Sequence, residues 1–180
     1  MKRATESISK YIEPWVDRLP PRVKNTFILR AFGFLQVPLL FSVDPEVVEI
    51  SNERCVVRIP LKRRTKNHLN SMYFGALSIG ADCAGGLMAM RFIRGQDNPK
   101  KESISLIFKD FHADFLKRAE GDVFFTCEDG LAIRELVKKA LGTGERQNLP
   151  VQVVATVPSQ LGNEPVARFT LTLSLKKKSP

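Results

Sequence analysis

Apolar positions recur along this chain with two different spacings, and the switches between them mark out its elements. From Pro20 to Leu40, Val23, Phe27, Phe34 and Leu35 return near every 3.6 residues; Pro20 and Pro21 mark the start and Pro38 the end, so the segment predicts a Phe-rich helix. Two apolar runs follow, Val47-Val48-Glu49-Ile50 and Cys55-Val56-Val57-Arg58-Ile59, split by Ser51-Asn52-Glu53, which predicts a hairpin. Pro60 and the basic cluster Lys62-Arg63-Arg64-Thr65-Lys66 close its second strand. Tyr73 to Arg91 is rich in Ala, Gly, Leu and Met, with few charges besides Asp82 and Arg91, and predicts a long helix that is largely buried.

After a turn at Arg94 to Pro99, Ser103 to Leu116 alternates and is rich in Phe, and Asp122 to Glu128 forms another strand beyond the break at Lys117 to Gly121. Phe108, Phe111, Phe115, Phe124 and Phe125 are expected mostly in the core, with one or two flooring an acyl tunnel. Leu131 to Leu141 predicts a second amphipathic helix stopped by Gly142 and Gly144. Two last strands, Val151 to Val157 and Val166 to Leu175, flank a turn with Gly162 and Asn163, and Lys176-Lys177-Lys178 reads as a soluble tail. Two strands, a buried helix and four more strands predict an α+β fold, an antiparallel sheet wrapped around a central helix, with an N-terminal helix and an extra helix between strands. The expected division is an N-terminal helical extension over 1–40 and a main unit over 41–180, together one domain.

Composition narrows the classes. At 180 residues, 43% hydrophobic and 26% charged, the chain is expected to fold as one soluble domain. Cys55, Cys83 and Cys127 have no CxxC spacing, and His68 and His112 are the two histidines, so neither zinc nor a disulfide framework is expected. Met1 to Lys10 lacks a signal-peptide apolar core, and no run reaches the roughly eighteen apolar residues of a membrane span; a cytoplasmic, reduced protein is the expectation. The net charge of +9 favours anionic partners, yet no aromatic-interleaved basic stripe accompanies it, which argues against nucleic acid. Phe27 to Phe41 could lie on a membrane as an interfacial helix, but Arg30 and Gln36 are few polar anchors, so packing on the sheet or lidding an acyl site is preferred.

The chemistry concentrates in Asn67-His68-Leu69-Asn70-Ser71-Met72-Tyr73-Phe74-Gly75-Ala76-Leu77-Ser78-Ile79-Gly80-Ala81-Asp82, where a polar loop runs into a small-residue helix. Asp82 stands about two turns into that helix among Ala and Gly, where an ionised side chain is costly unless paired. The spacing of Asn67, Gly75 and Asp82 resembles the hotdog-fold acyl-coenzyme A thioesterases, in particular the phenylacetyl-coenzyme A thioesterase-like branch, with Tyr73 where that branch has His and Phe74 where it has the first Gly. The form Asn-His-x-x-x-Met-Tyr-Phe-Gly-Ala-Leu looks closer still to an uncharacterised hotdog family. Asp114 to Asp122 resembles a turn of the same fold, with Arg118 where Pro is usual.

The resemblance implies a thioesterase for a medium, long or aromatic acyl chain carried on coenzyme A or an acyl carrier. It implies Asp82 as nucleophile or general base, Asn67 as the residue positioning water or thioester, and the backbone N–H of Phe74 beside Gly75 as the oxyanion donor. It also implies a homodimer, alone or as a dimer of dimers, with sites shared between subunits, and no metal or cofactor beyond coenzyme A in the substrate. Lys62, Arg63 and Arg64 are candidate phosphate contacts or a charged sheet edge; His68 and Tyr73 are candidate substrate contacts; His112 reads as a partly exposed structural residue. The competing readings are a non-catalytic acyl-binding protein, in which Asp82 is satisfied by backbone N–H groups or Asn67, and a dehydratase, for which no matching His is present.

Overall fold

A computed structural model of the chain describes residues 19–178; positions 1–18 of the expected extension lie outside them. Helices α1 (Pro21–Gln36) and α2 (Pro38–Ser42) precede a hairpin of β1 (Glu46–Ile50) and β2 (Cys55–Ile59). The long helix α3 (Phe74–Arg94) follows, then β3 (Ile104–Phe115), β4 (Val123–Cys127), α4 (Gly130–Thr143), β5 (Gln147–Thr156), the short α5 (Pro158–Leu161) and β6 (Pro165–Lys177). The strands make one sheet in the order β1-β2-β4-β5-β6-β3, antiparallel throughout.

The sheet packs on α3 through β2, β4, β5 and β6, as the small residues of that helix require. Ala81, Ala84, Met88 and Ala89 are fully buried, and the absence of bulky side chains lets the helix sit close. Gly80 is the tightest point, since a Cβ there would lie 2.3 Å from the ring of Phe125 on β4. Phe125 is itself fully buried, and truncating so large a core side chain typically costs about 3–5 kcal/mol. By length and composition α3 could cross a membrane, with mean hydropathy 1.3, contrary to the sequence expectation that no run qualifies; here the sheet covers its apolar face. Helix α4 buries Ile133, Leu136, Val137 and Ala140 against α3, β5 and β6, and ends where Gly144 takes a left-handed φ of 70°.

Three local expectations change. The first helix stops at Gln36, as Pro38 leads one to expect because the residue before a proline is pushed out of helical geometry, but Pro38 then begins a second short helix, α2, where no further helix was expected. Lys176 and Lys177 are not tail: they extend β6 opposite Ser105 and Ile104, and Lys177 bonds Glu102 at 2.9 Å. Phe111 and Phe115 are not core either, remaining 43% and 50% exposed. Their strand is the last of the sheet and lies beyond β2, β4, β5 and β6, the strands on which α3 chiefly packs, so no helix covers them. Both rings still lean on buried Phe169, at 5.7 and 6.1 Å between centroids.

The N-terminal helices are tied to the hairpin by polar contacts. Val47 donates to Thr26 Oγ1 at 2.9 Å, and Arg30 bonds the Pro45 carbonyl at 2.9 Å and pairs with Asp44 at 2.7 Å. Asp44 also accepts from Lys62, and that hydrogen bond, with Arg30 nearby, holds its carboxyl below the usual value. From this anchor α1 runs on until Phe32 and Gln36 face α3 and β3 across a cleft.

Candidate active site

The loop entering α3 is built by its own polar residues. Asn67 Oδ1 accepts from the backbone of Leu69 at 2.9 Å and of Ser71 at 3.3 Å, while its amide donates to Ser71 Oγ at 3.2 Å. Asn70 adopts φ of 62°, a conformation Asn tolerates. Buried Thr65 binds the Pro60 carbonyl at 2.7 Å and accepts from the Lys62 amide, Tyr73 donates to the Thr65 carbonyl, and Met72 to that of Ala119. Arg118, which stands at the usual proline position, reaches the Leu69 carbonyl at 2.6 Å and so anchors the loop from the β3–β4 connection.

At the start of α3 no side chain caps the helix, and the amides of Phe74 and Gly75 have no partner among the described residues. Phe74 does not have a positive φ, so the position needs no glycine and its N–H is presented in ordinary helical geometry. The Tyr73 ring lies over Gly75, where a Cβ would be 2.8 Å from it, and packs against the Phe74 ring in a tilted arrangement with centroids 4.6 Å apart. Both rings are about half exposed, at 48% and 57%.

Asp82 faces the cleft between α1, α3 and β3, whose volume is about 600 Å³. Its neighbours there are apolar, including Leu29, Phe32, Leu87, Met90, Leu106 and Phe108. Gly86 makes room for the carboxylate: a Cβ at that position would sit 3.4 Å from Asp82 Oδ1 and 3.6 Å from the Phe108 ring. Among the described residues Asp82 has no hydrogen-bond or ion-pair partner, and burial pushes its carboxyl up to about 6. Such a group holds its charge at neutral pH while remaining basic enough to take a proton from water. Cys83 also lines the cleft, but burial first and the neighbouring Asp82 second raise its thiol far out of the nucleophilic range. Cys55 and Cys127 are pushed up to about 12 and about 11 by burial, and so are inert.

The other sequence candidates divide. Lys62 is paired with Asp44 and serves the α1 anchor. Arg64 adds a weaker attraction to the same acid, while Arg63 and His68 are exposed and make no hydrogen bond or ion pair among the described residues. His112 is 73% exposed beside Asp114 on β3. Sequence reasoning missed Gln36, Arg94 and Lys178, which line the Asp82 cleft. A signal for Arg94 was present: Asp82, Gly86, Met90 and Arg94 follow at four-residue steps along one ridge of α3.

Within one protomer, the Phe74 amide and Asp82 are eight residues apart, about 12 Å along the helix axis. They cannot both touch one carbonyl, so a single chain does not complete the expected constellation.

The fold recurs in solved structures. A Pseudomonas aeruginosa protein described as a probable thioesterase superposes with a TM-score of 0.66 at 22% identity, covering 89% of this chain and 97% of its own. A Chlorobaculum tepidum protein of unknown function gives 0.72 at 12% identity, with 87% and 97% covered. Zebrafish thioesterase superfamily member 2 gives 0.59 at 14% identity, with 87% and 99% covered. No curated protein sequence matches the chain. These likenesses establish the hotdog fold. A family model described as a domain of unknown function, DUF4442, matches residues 25–175, and the chain belongs to that family.

Proposed function

We propose that the protein hydrolyses acyl thioesters, with Asp82 as its base or nucleophile, at a site completed by a second copy of the chain. The observation that carries this reading is a carboxylate without a donor, raised to about 6, in an apolar cleft of about 600 Å³. In the general-base form, Asp82 takes a proton from water as its oxygen bonds to the thioester carbon. The tetrahedral oxyanion collapses, the carbon–sulfur bond breaks, and the proton passes to the departing thiolate. In the nucleophilic form, the carboxylate attacks the thioester carbon, the carbon–sulfur bond breaks as the thiolate leaves, and water then cleaves the resulting anhydride, freeing the acid and regenerating Asp82 while a proton of the water passes to the thiolate.

The oxyanion needs donors that one chain does not bring to Asp82. The uncapped Phe74 and Gly75 amides of a partner's α3 suit that role, at the positive end of the helix. The edge strand β3 exposes Ile107, Phe111 and Phe115 among the charged Lys109, Asp110 and Asp114, and its unpaired outer backbone is where a second strand would add. Asn67 then acts by holding the loop that aims these amides, and Arg63, Arg64 and His68 remain the cations and imidazole open to a coenzyme A phosphate. The substrate is an acyl-coenzyme A or acyl-carrier thioester, and the reaction needs no further cofactor.

Thiol release measured over a series of acyl-coenzyme A chain lengths, with Asp82→Asn alongside, tests the reading. Lost turnover with unchanged circular dichroism and molecular mass supports it; a wild-type rate in the variant rules Asp82 out as the catalytic group. A strictly monomeric active protein would remove the shared site.

A second reading, an acyl-binding protein without turnover, is favoured by the Tyr73 ring over Gly75 and by the engagement of Asn67 within its own loop. Thermal stabilisation by acyl-coenzyme A with no thiol released would select it.

A further inference from the structure

We infer that the cleft between α1, α3 and β3 is an acyl-chain channel whose far end selects a chain terminating in a carboxylate. The inference rests on the thioesterase reading for the place of the reacting carbonyl, at Asp82. From there the ridge Asp82, Gly86, Met90, Arg94 runs along α3 for about 18 Å, room for about a dozen methylene groups. The opposite wall agrees, since Phe108 lies by Gly86 near the acid and Ile104 lies four residues further, about 13 Å along β3.

The walls between are apolar, from Ile28, Leu29 and Phe32 on α1 to Leu87, Met90 and Leu106 opposite. A pantetheine arm placed there would bury two amides with little to bond, whereas a hydrocarbon chain loses nothing. At the far end the chemistry changes to Gln36, Arg94 and Lys178. The side chains of all three have no hydrogen-bond or ion-pair partner among the described residues, and Asp82 is the sole acidic residue of the described lining. Elsewhere the cations Arg30, Arg58, Lys62, Arg134 and Lys177 each meet a carboxylate. A methyl terminus would meet two charges and an amide there; a carboxylate would receive charge-assisted hydrogen bonds.

The test compares dodecanoyl-coenzyme A with the coenzyme A monothioester of dodecanedioic acid, in wild type, Arg94→Gln/Lys178→Gln and Arg94→Lys/Lys178→Arg. Because both cations are exposed, the expected wild-type preference for the carboxy-terminated chain is about fivefold in kcat/KM. The double glutamine variant is expected to erase it through a higher KM for that substrate alone, and the charge-retaining variant to keep it. Equal handling of both chains by wild type overturns the inference. So does an equal loss on both substrates in the glutamine variant, which would assign the cations to the nucleotide phosphates. If neither thioester releases thiol, the hydrolase reading fails separately, and dissociation constants of the two thioesters from calorimetry decide the channel. A fivefold preference lost in the glutamine variant supports it, and equal affinities reject it.

Discussion

Asp44 and Asp82 are both partly buried carboxylates, and the fold treats them in opposite ways. Asp44 sits between Arg30 and Lys62, which hold its carboxyl low, and through them it fastens α1 to the hairpin. Asp82 is given apolar neighbours and no donor, and its carboxyl is pushed up to about 6. An acid that fastens structure is surrounded by donors; an acid left without them weakens the fold whenever it ionises. That cost is the usual mark of a group kept for its reactivity.

Substitution at the two acids is therefore expected to have opposite signatures. The largest effect is on turnover: Asp82→Asn should lower thioester hydrolysis by about a thousandfold, read as thiol release, whereas Asp44→Asn should leave it near wild type. Next, kcat/KM should rise with pH until about 6, as Asp82 loses its proton, and fall about tenfold for each unit below. A flat profile between pH 4.5 and 7 would separate Asp82 from the rate.

Stability should run the other way. The folded Asp82 carboxyl keeps its proton up to about 6, while the unfolded one releases it near 3.8. Between those values the folded state binds more protons, so this residue's contribution falls as pH rises and its full cost persists above about 6. Asp82→Asn should thus stabilise the protein at pH 8 by about 1–3 kcal/mol in denaturant titration, with the gain fading as pH falls from about 6 and gone below about 4. The smallest effect belongs to Asp44→Asn, expected to cost about 1 kcal/mol at neutral pH. Asparagine accepts the φ of 58° at that position, so the loss reports charge rather than strain. Because the folded Asp44 carboxyl is depressed, its stabilisation is present above the ordinary value of 3.8 and disappears as pH falls through the lowered one.

How far the sequence discloses this depends on whether the cause is local. The run of Ala, Gly and Met from Tyr73 onward announces a buried helix, and one aspartate within it stands out as a candidate, because both follow from what a close-packed interior tolerates. The Asn67 turn is just as local, an Asn side chain reaching the amide two residues on, but the resemblance assigns Asn67 to positioning water or thioester, and its loop-holding bonds emerge only in the structure. The partner of Lys62 is eighteen residues away in sequence and was not legible, so a basic cluster looked uniform although one member is committed to Asp44. Phe111 and Phe115 alternate like core residues, and their exposure comes from the strand order of the sheet, which periodicity does not contain. Gln36 and Lys178 join the cleft from opposite ends of the chain, and only the folded topology brings them together.

The phenyl group wedged where Gly80 lacks a side chain acts like a key in a slot. Two residues further on is the Asp82 carboxylate, so the direction in which it points is set by a strand on the far side of the helix as well as by the hydrogen-bonded loop before it. A single methyl added at Gly80, a position with no functional group, would have to displace the Phe125 ring or shift the helix, and with a shifted helix the Asp82 carboxylate would turn within its cleft.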